Sequence, residues 1–264
     1  MTYQPTAILS QSKKLLYPES DGQPMADNTL QFEYIVKIKT NLEILYQEKE
    51  VFVAGDLFWY PVEGRPRTVV APDVLVVFDR PKGYRGSYKQ WEEEGKAPDV
   101  VFEVLSKSNT TIEMIRKKSF YERYGVQEFI IIDPYQDKIA VYTREEDVLQ
   151  EVNIEANSWK SKILGITIEE KEEIVDFYFP DGQLFHTPEE WNELFRKEQE
   201  EKEQALQREE QALQREEQAL QREEKALQRE KDAAEKAERE QLEKENALKE
   251  LEILKAELAK LKQQ

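Results

Sequence analysis

Two carboxylates lie inside otherwise apolar stretches of this sequence, and they are its strongest candidates for chemistry. Asp73 follows Pro72 at the start of one apolar run, and Glu103 lies within another, Val101–Leu105. Side chains alternate across a strand, so each carboxylate would share a face with apolar neighbours. Such a carboxylate is costly unless it is paired, protonated or bound to a metal. Two of them on neighbouring strands would repel each other unless a cation such as Mg²⁺ lay between them, beside a phosphate group.

A simpler interpretation stays open for each carboxylate. Asp73 would then only begin a strand after Pro72, and Glu103 would face solvent. Glu103 is the harder of the two to explain in this way, because ionised side chains are seldom placed inside a continuous apolar run.

Lys117, on the helix that follows the strand of Glu103, is directed toward the two carboxylates. Thr110 with Glu113 forms a capping-box pattern at the start of this helix, and Gly125 is suited to end it. Residues three and four positions apart fall on one side of a helix, and here they are Glu113, Lys117, Phe120, Tyr121 and Tyr124. The aromatic residues of this stripe should face the sheet. Because Lys117 lies on the same side of the helix, its ammonium should point toward the sheet that carries the two carboxylates. The alternative is an exposed ion pair of Lys117 with Glu113, contributing only ~0.3–0.5 kcal/mol.

The elements that must position these residues are strands and helices in mixed order. A helix is predicted over residues 29–46, with Gln31 at the start of its apolar stripe, as a polar first-turn residue or as a contact near the site. Apolar runs predict the strands Val51–Asp56, Val69–Phe78, Val100–Leu105, Glu128–Asp133 and Lys138–Thr143. The central runs are apolar on both faces, which is typical of strands covered by helices on both sides.

The C-terminal part has a different character, because EQALQRE repeats with a period of seven from Glu203 onward. The repeated apolar residues form only a narrow Ala-Leu stripe, so pairing with another helix should be weak there. A fuller seam follows at Ala247, Leu251, Leu254, Leu258 and Leu261. A coiled coil, with a homodimer as its simplest form, and a single solvated helix both remain open.

Composition excludes several kinds of chemistry. There is no cysteine and a single histidine, His186, so thiol catalysis, zinc knuckles and multi-histidine metal sites are ruled out. Any metal should therefore be a hard one held by oxygen, Mg²⁺ or Mn²⁺. The net charge is -17, which disfavours binding of nucleic acid through bulk charge. No apolar segment has the length of a signal peptide or a membrane span, so we expect a cytoplasmic protein without membrane contact.

One local exception to this acidity is the segment of residues 80–91, RPKGYRGSYKQW. It mixes aromatic side chains with basic ones and holds no acid; the basic residues are Arg80, Lys82, Arg85 and Lys89. Such a mixture suits phosphate contact and base stacking. Because the segment joins the strand after Asp73 to the strand of Glu103, we expect it near the site. An ordinary surface loop is the alternative, and the acidic run Glu92–Glu94 directly after it would oppose binding.

A set of short motifs, in this order, resembles the Uma family of endonucleases within the PD-(D/E)XK, restriction-endonuclease-like superfamily. The motifs are Pro72-Asp73, Phe102-Glu103-Val104-Leu105-Ser106, Ser108-Asn109-Thr110, Lys117, Tyr121, Tyr124-Gly125-Val126 and Ile132-Asp133-Pro134. The resemblance covers roughly residues 20–190, and its specificity comes from the order and spacing of the motifs. One departure from the superfamily pattern is Leu105, which stands where the superfamily carries its lysine. In the Uma family the lysine has moved to the next helix, where Lys117 matches it.

The resemblance implies a metal-dependent DNA endonuclease that hydrolyses phosphodiester bonds. Asp73, Glu103 and the backbone carbonyl of Val104 would bind Mg²⁺ or Mn²⁺, and Lys117 would orient or help deprotonate the attacking water. Gln31 and Tyr121 would be accessory residues, and no organic cofactor is expected. The alternative is a catalytically degenerate nuclease fold that assembles with a partner through its tail.

The strand and helix patterns predict an α/β fold, and the resemblance implies a restriction-endonuclease-like core with a mixed central sheet flanked by helices. This core should occupy residues 1–192. A long charged heptad-repeat helix, as a coiled coil, should follow over residues 193–264.

Overall fold

The computed structural model describes residues 16–20, 22 and 26–261, with side chains as far as residue 255. The helices are α1 (Thr29–Leu45), α2 (Thr111–Tyr124) and α3 (Pro188–Leu261), and a short 3₁₀ helix spans Gln90–Glu93. The strands are β1 (Val51–Gly55), β2 (Trp59–Tyr60), β3 (Val74–Phe78), β4 (Tyr88–Lys89), β5 (Val100–Val104), β6 (Glu128–Asp133), β7 (Lys138–Glu145), β8 (Val148–Glu151), β9 (Ser158–Lys160), β10 (Thr167–Lys171) and β11 (Ile174–Tyr178).

The centre of the fold is a six-stranded mixed sheet in the order β1-β3-β5-β6-β7-β8. Only β5 and β6 run parallel, and α2 connects them, while the other neighbouring strands are antiparallel. These directions bring the end of β1, the start of β3, the ends of β5 and β6 and the start of β7 to one edge. We name it the site edge. The expected mixed α/β fold is confirmed.

Each face of the sheet has its own apolar core. On one face α1 packs through Ile35, Ile38 and Leu42, together with the small sheet β9-β10-β11. On the other face α2 packs through Tyr121. Residues alternate across a strand, so Val101 and Phe102 enter different cores. Glu103 has the same parity as Val101 and therefore lies on the α2 face.

The two helices of the core have the caps that their sequences indicate. Asn28 accepts a bond from the Gln31 N–H at the start of α1, and Thr110 accepts one from the Glu113 N–H at the start of α2. Gly125 ends α2 in the left-handed conformation, with φ 103°. A residue with a Cβ is strained in that conformation, which explains the glycine at this point.

One strand is shorter than predicted. The expected strand Val69–Phe78 is wrong over its first five positions, because β3 begins only at Val74. Val70 forms an isolated bridge with Trp59 instead, and Pro72 has no N–H to donate to a neighbouring strand. Asp73 therefore precedes the strand by one residue.

The chain divides into two compact units, residues 1–192 and 193–264. The described part of the second unit is helical and belongs to α3, a 74-residue helix that begins at Pro188 in the first unit. The Thr187 hydroxyl and the Glu190 carboxylate exchange bonds with each other's backbone N–H there, as a capping box. The repeated leucines Leu206, Leu213, Leu220 and Leu227 are all exposed, and the side chains of Leu258 and Leu261 lie outside the described residues.

Candidate active site

Glu103 is a buried carboxylate whose two oxygens each receive a hydrogen bond from α2. Its side chain is 2% exposed. The Lys117 ammonium lies 2.7 Å from Oε2, and the Tyr121 hydroxyl donates to Oε1. The helical spacing of Lys117 and Tyr121 places both side chains over the sheet, as the aromatic stripe predicts.

Asp73 stands beside this group at the site edge. The antiparallel register that pairs Val74 with Phe102 sets Asp73 opposite Glu103 when extended by one residue. Oδ2 of Asp73 accepts a 2.6 Å hydrogen bond from the Val104 N–H, which fixes the carboxylate against the end of β5. Asp73, Glu103 and Lys117 are thus brought together at one place.

Asp73 is poorly stabilised as an ion. The pKa of Asp73 is raised to about 8, mainly by burial and next by repulsion from Glu103. The Lys117 charge and the bond from the Val104 N–H lower the pKa, and Asp56 raises it, but these are smaller effects. At neutral pH this carboxyl group is therefore mostly protonated, unless a further cation binds beside it.

Lys117 remains charged in these surroundings. Burial lowers the pKa of Lys117, but Glu103, the hydrogen bond to it and Asp73 together outweigh burial and leave the pKa raised. The ammonium is held for donation of hydrogen bonds and is a poor proton acceptor at neutral pH.

Tyr121 fixes Glu103 from the interior of the core. Its ring is fully buried and stacks on Trp59 with centroids 6.2 Å apart. Burial, and then the Glu103 charge, raise the pKa of Tyr121 well above its ordinary value, so the hydroxyl keeps its proton and donates to the carboxylate.

The side chain of Gln31 contacts the site at the backbone carbonyl of Val104. It is 7% exposed, and its Nε2 donates a 2.9 Å bond to the carbonyl oxygen of Val104. Its Oε1 accepts from the Asp27 N–H at 2.9 Å. Of the two interpretations that the sequence left open for Gln31, the structure favours the contact near the site.

A network after β5 was not found from the sequence. The Asp27 carboxylate accepts bonds from the hydroxyls of Ser106, at 2.6 Å, and Ser108. The Asn109 side chain accepts from the Ser106 N–H at 2.7 Å. These residues tie the start of α1 to the loop that leaves Glu103. The run Ser106–Thr110 was a visible signal, but nothing in the sequence pairs it with Asp27.

The donor set at this place fits a hard divalent cation. Within the described part of the chain, no group of three or more His, Cys, Asp or Glu side chains is arranged to hold a metal ion. Mg²⁺, however, is commonly bound through one or two carboxylates with water and substrate phosphate completing the shell. A buried carboxyl group with a pKa of about 8 beside a second carboxylate is an arrangement that a cation would stabilise.

The basic segment of residues 80–91 begins far from this site. It leaves the end of β3 at the edge of the sheet opposite Asp73, because β3 runs away from the site edge. Three cations pair with the acidic run that follows: Arg80–Glu94 at 2.9 Å, Arg85–Glu93 at 2.5 Å and Lys89–Glu92 at 3.3 Å. Lys82 donates to the carbonyl oxygen of Tyr46 at 2.6 Å. The expectation that this loop lies near the carboxylates is therefore wrong for Arg80, Lys82 and Arg85, which contact Glu50, Tyr46 and Phe52 around the start of β1.

The class of protein is given by comparison with known families. A family model described as "Putative restriction endonuclease", Uma2, matches residues 20–169. The chain belongs to that family. This confirms the resemblance that the motifs indicated.

A solved structure is also similar to the chain. It is described as a "putative nuclease belonging to DUF820 from Anabaena variabilis ATCC 29413", with 12% sequence identity and a TM-score of 0.38. The match covers 48% of this chain and 69% of that one. No curated protein matches the chain. In the part of the chain that the structure describes, no helix is both long enough and apolar enough to cross a membrane.

Proposed function

We propose that this chain is a DNA endonuclease that hydrolyses phosphodiester bonds with Mg²⁺ or Mn²⁺. The observation that carries the proposal is the convergence of Asp73, Glu103 and Lys117 at the site edge. Two carboxylates that together need a cation, with an ammonium beside them, match the needs of phosphoryl chemistry, where positioning and charge stabilisation dominate.

Each residue would have a distinct part. Asp73, Glu103 and the carbonyl oxygen of Val104 would hold the metal ion, which when bound would polarise the scissile phosphate and lower the pKa of a water molecule. Lys117, kept protonated by the carboxylates, would donate to the attacking water or to the phosphate oxygens as charge develops. Tyr121 would hold Glu103 in place, and Gln31 would hold the backbone of Val104.

The test is cleavage of plasmid and linear DNA by the purified full-length chain with Mg²⁺ or Mn²⁺. Glu103→Gln keeps the shape of the side chain and removes its charge, so cleavage should fall by at least about 100-fold. Lys117→Met should give a loss of similar size. Lys118→Met is the matched control, because Lys118 makes a surface ion pair with Glu122 at 3.3 Å and should leave cleavage unchanged.

Two results would count against this function. One is full activity of Glu103→Gln, which would mean that the cleavage comes from another site or another protein. The other is absence of cleavage by the wild type on every DNA substrate with both metals. Thermal unfolding followed by circular dichroism shows whether each variant is folded, so that a loss of activity is not a loss of structure.

A second candidate function is assembly through α3, and the exposure of its leucines favours it. Leu251 is 49% exposed and Leu254 is 62% exposed on the described helix, at the spacing of a coiled-coil seam. We propose a homodimer through this seam. Leu251→Asn with Leu254→Asn should then halve the mass seen in sedimentation equilibrium, whereas an unchanged mass would exclude assembly through these residues.

A further inference from the structure

A cavity of about 630 Å³ opens at the site edge, beside the group of Glu103 and Lys117. It lies between the first turns of α2, the end of β6 and the start of β7. Ile131, which lines it, is the partner of Glu103 in the β5–β6 register, so it points to the same face on the neighbouring strand. Glu103 and one lining residue of the cavity thus lie side by side on neighbouring strands, whose backbones are about 5 Å apart.

The lining has an apolar floor and a polar rim. Leu105, Met114 and Ile139 contribute to the floor, and Gln136 at the rim carries an amide that can donate and accept. This composition and volume are typical of pockets that bury a small organic group and orient it with a few polar contacts. A nucleobase is such a group, since it has two apolar faces and a polar edge.

One wall of the cavity carries an aromatic ring and a cation together. Tyr135 is 38% exposed, and the ammonium of Lys107 lies 5.4 Å from the centre of its ring. The Asp133 carboxylate accepts bonds from the N–H groups of Tyr135 and Gln136, which holds the turn in shape. A base stacked on Tyr135 would displace the ammonium from the ring and leave Lys107 beside the phosphates of the same strand.

The distribution of charge favours binding through such a pocket. The chain carries a net charge of -17, and the cations of residues 80–91 are paired with acids or with backbone carbonyls. Bulk attraction for the DNA backbone is therefore weak. Stacking of an unpaired base on an aromatic side chain supplies affinity that does not depend on net charge.

We propose that this cavity binds an unstacked nucleobase next to the bond to be cut, so that the substrate is single-stranded or locally unpaired DNA. The inference rests on the proposed nuclease function, because it places the base beside the Glu103 group. A base inside a regular duplex is stacked on its neighbours and would have to leave the helix first, at an unfavourable free energy.

The test measures binding without any metal, so that it is independent of cleavage. A fluorescein-labelled DNA strand, alone or paired with its complement, is titrated with the full-length chain in EDTA and followed by fluorescence anisotropy. The wild type should bind the single strand more tightly than the duplex. Tyr135→Ala should weaken binding of the single strand at least about fivefold, while Tyr135→Phe, which keeps the ring, should restore it. Lys107→Ala should weaken binding in the same direction.

A matched control comes from the opposite edge of the sheet. Lys49 lies 5.7 Å from the Tyr46 ring in a second pair of a lysine and a tyrosine. Lys49→Ala should bind the single strand like the wild type. Equal binding by Tyr135→Ala and the wild type, or a preference of the wild type for the duplex, would overturn the assignment.

Failure of this inference and failure of the nuclease function are separable. If Tyr135→Ala binds normally but Glu103→Gln alone abolishes cleavage, the function stands and the pocket is wrong. If binding depends on Tyr135 but the wild type cuts no DNA, the pocket stands as a strand-binding site and the catalytic role is wrong.

Discussion

Asp73→Asn should stabilise the metal-free protein, and the gain should increase as the pH rises. The pKa of Asp73 goes from 3.8 to about 8 in the folded chain, first because of burial and then because of Glu103. Between these two values the unfolded chain has released the proton while the folded chain still holds it. The free energy of unfolding therefore falls with each step of pH through this window. Asparagine has nearly the same shape and no charge, so it removes this dependence.

The size of the effect follows from the width of the window. Each pH unit inside it costs about 1.4 kcal/mol. From 3.8 to neutral pH there are about three such units, so the ionisable group lowers the stability at pH 7 by on the order of 4 kcal/mol. The amide oxygen of asparagine can still accept from the Val104 N–H, although less strongly than a carboxylate. We therefore expect a net gain of about 2–4 kcal/mol at neutral pH and little difference near pH ~4.

The assay is urea unfolding in EDTA at a series of pH values between about 4 and about 8, followed by tryptophan fluorescence. All four tryptophans lie in residues 1–192, so the signal reports on this unit alone. Asp27→Asn is the control, because hydrogen bonds from Ser106 and then Ser108 lower the pKa of Asp27 below its ordinary value of 3.8. The stability difference between this variant and the wild type develops only below that ordinary value, so across the assay range the variant should be less stable by an amount that does not change with pH. A difference between wild type and Asp73→Asn that does not change with pH would refute the raised pKa of Asp73.

Two further changes test how the site is held together. Tyr121→Phe removes the hydroxyl that donates to buried Glu103 and should lower the free energy of unfolding by about 1–3 kcal/mol; a change below about 0.5 kcal/mol would show that the carboxylate is satisfied in another way. Gln31→Ala leaves the Val104 carbonyl without its 2.9 Å donor and should cost a similar amount, about 1–3 kcal/mol, in the same urea assay. Unchanged stability would mean that water replaces the amide.

The positions of Glu103, Lys117 and Tyr121 follow from local sequence patterns. Glu103 stands in a continuous apolar run, and Lys117 and Tyr121 lie on the aromatic side of a helix whose two ends are marked by Thr110 and Gly125. Periods of two and of 3.6 residues decide which face a side chain takes, so the sequence predicts that these groups face each other. The raised pKa of Asp73 has the same origin, since two acids are brought to one apolar face.

Other features depend on pairing that no local pattern carries. The basic segment of residues 80–91 follows β3, whose end at Phe78 was predicted correctly. The side of the sheet at which the segment begins, however, depends on the direction of β3. Asp27 and Ser106 are 79 residues apart and meet only when α1 packs beside the end of β5. Their contact is a tertiary one, and polar side chains in loops have no periodicity that would reveal it.

The most direct test of a cation site at Asp73 and Glu103 is a calorimetric titration of the full-length chain with Mn²⁺ at neutral pH. Performed in two buffers of different ionisation enthalpy, it gives both the affinity and the number of protons released. We predict binding of a single ion with release of close to one proton, because Asp73 is mostly protonated beforehand. Both signals should be lost in Glu103→Gln and retained in Lys118→Met. Mn²⁺ binding that is unchanged in Glu103→Gln, or that releases no proton, would contradict the site.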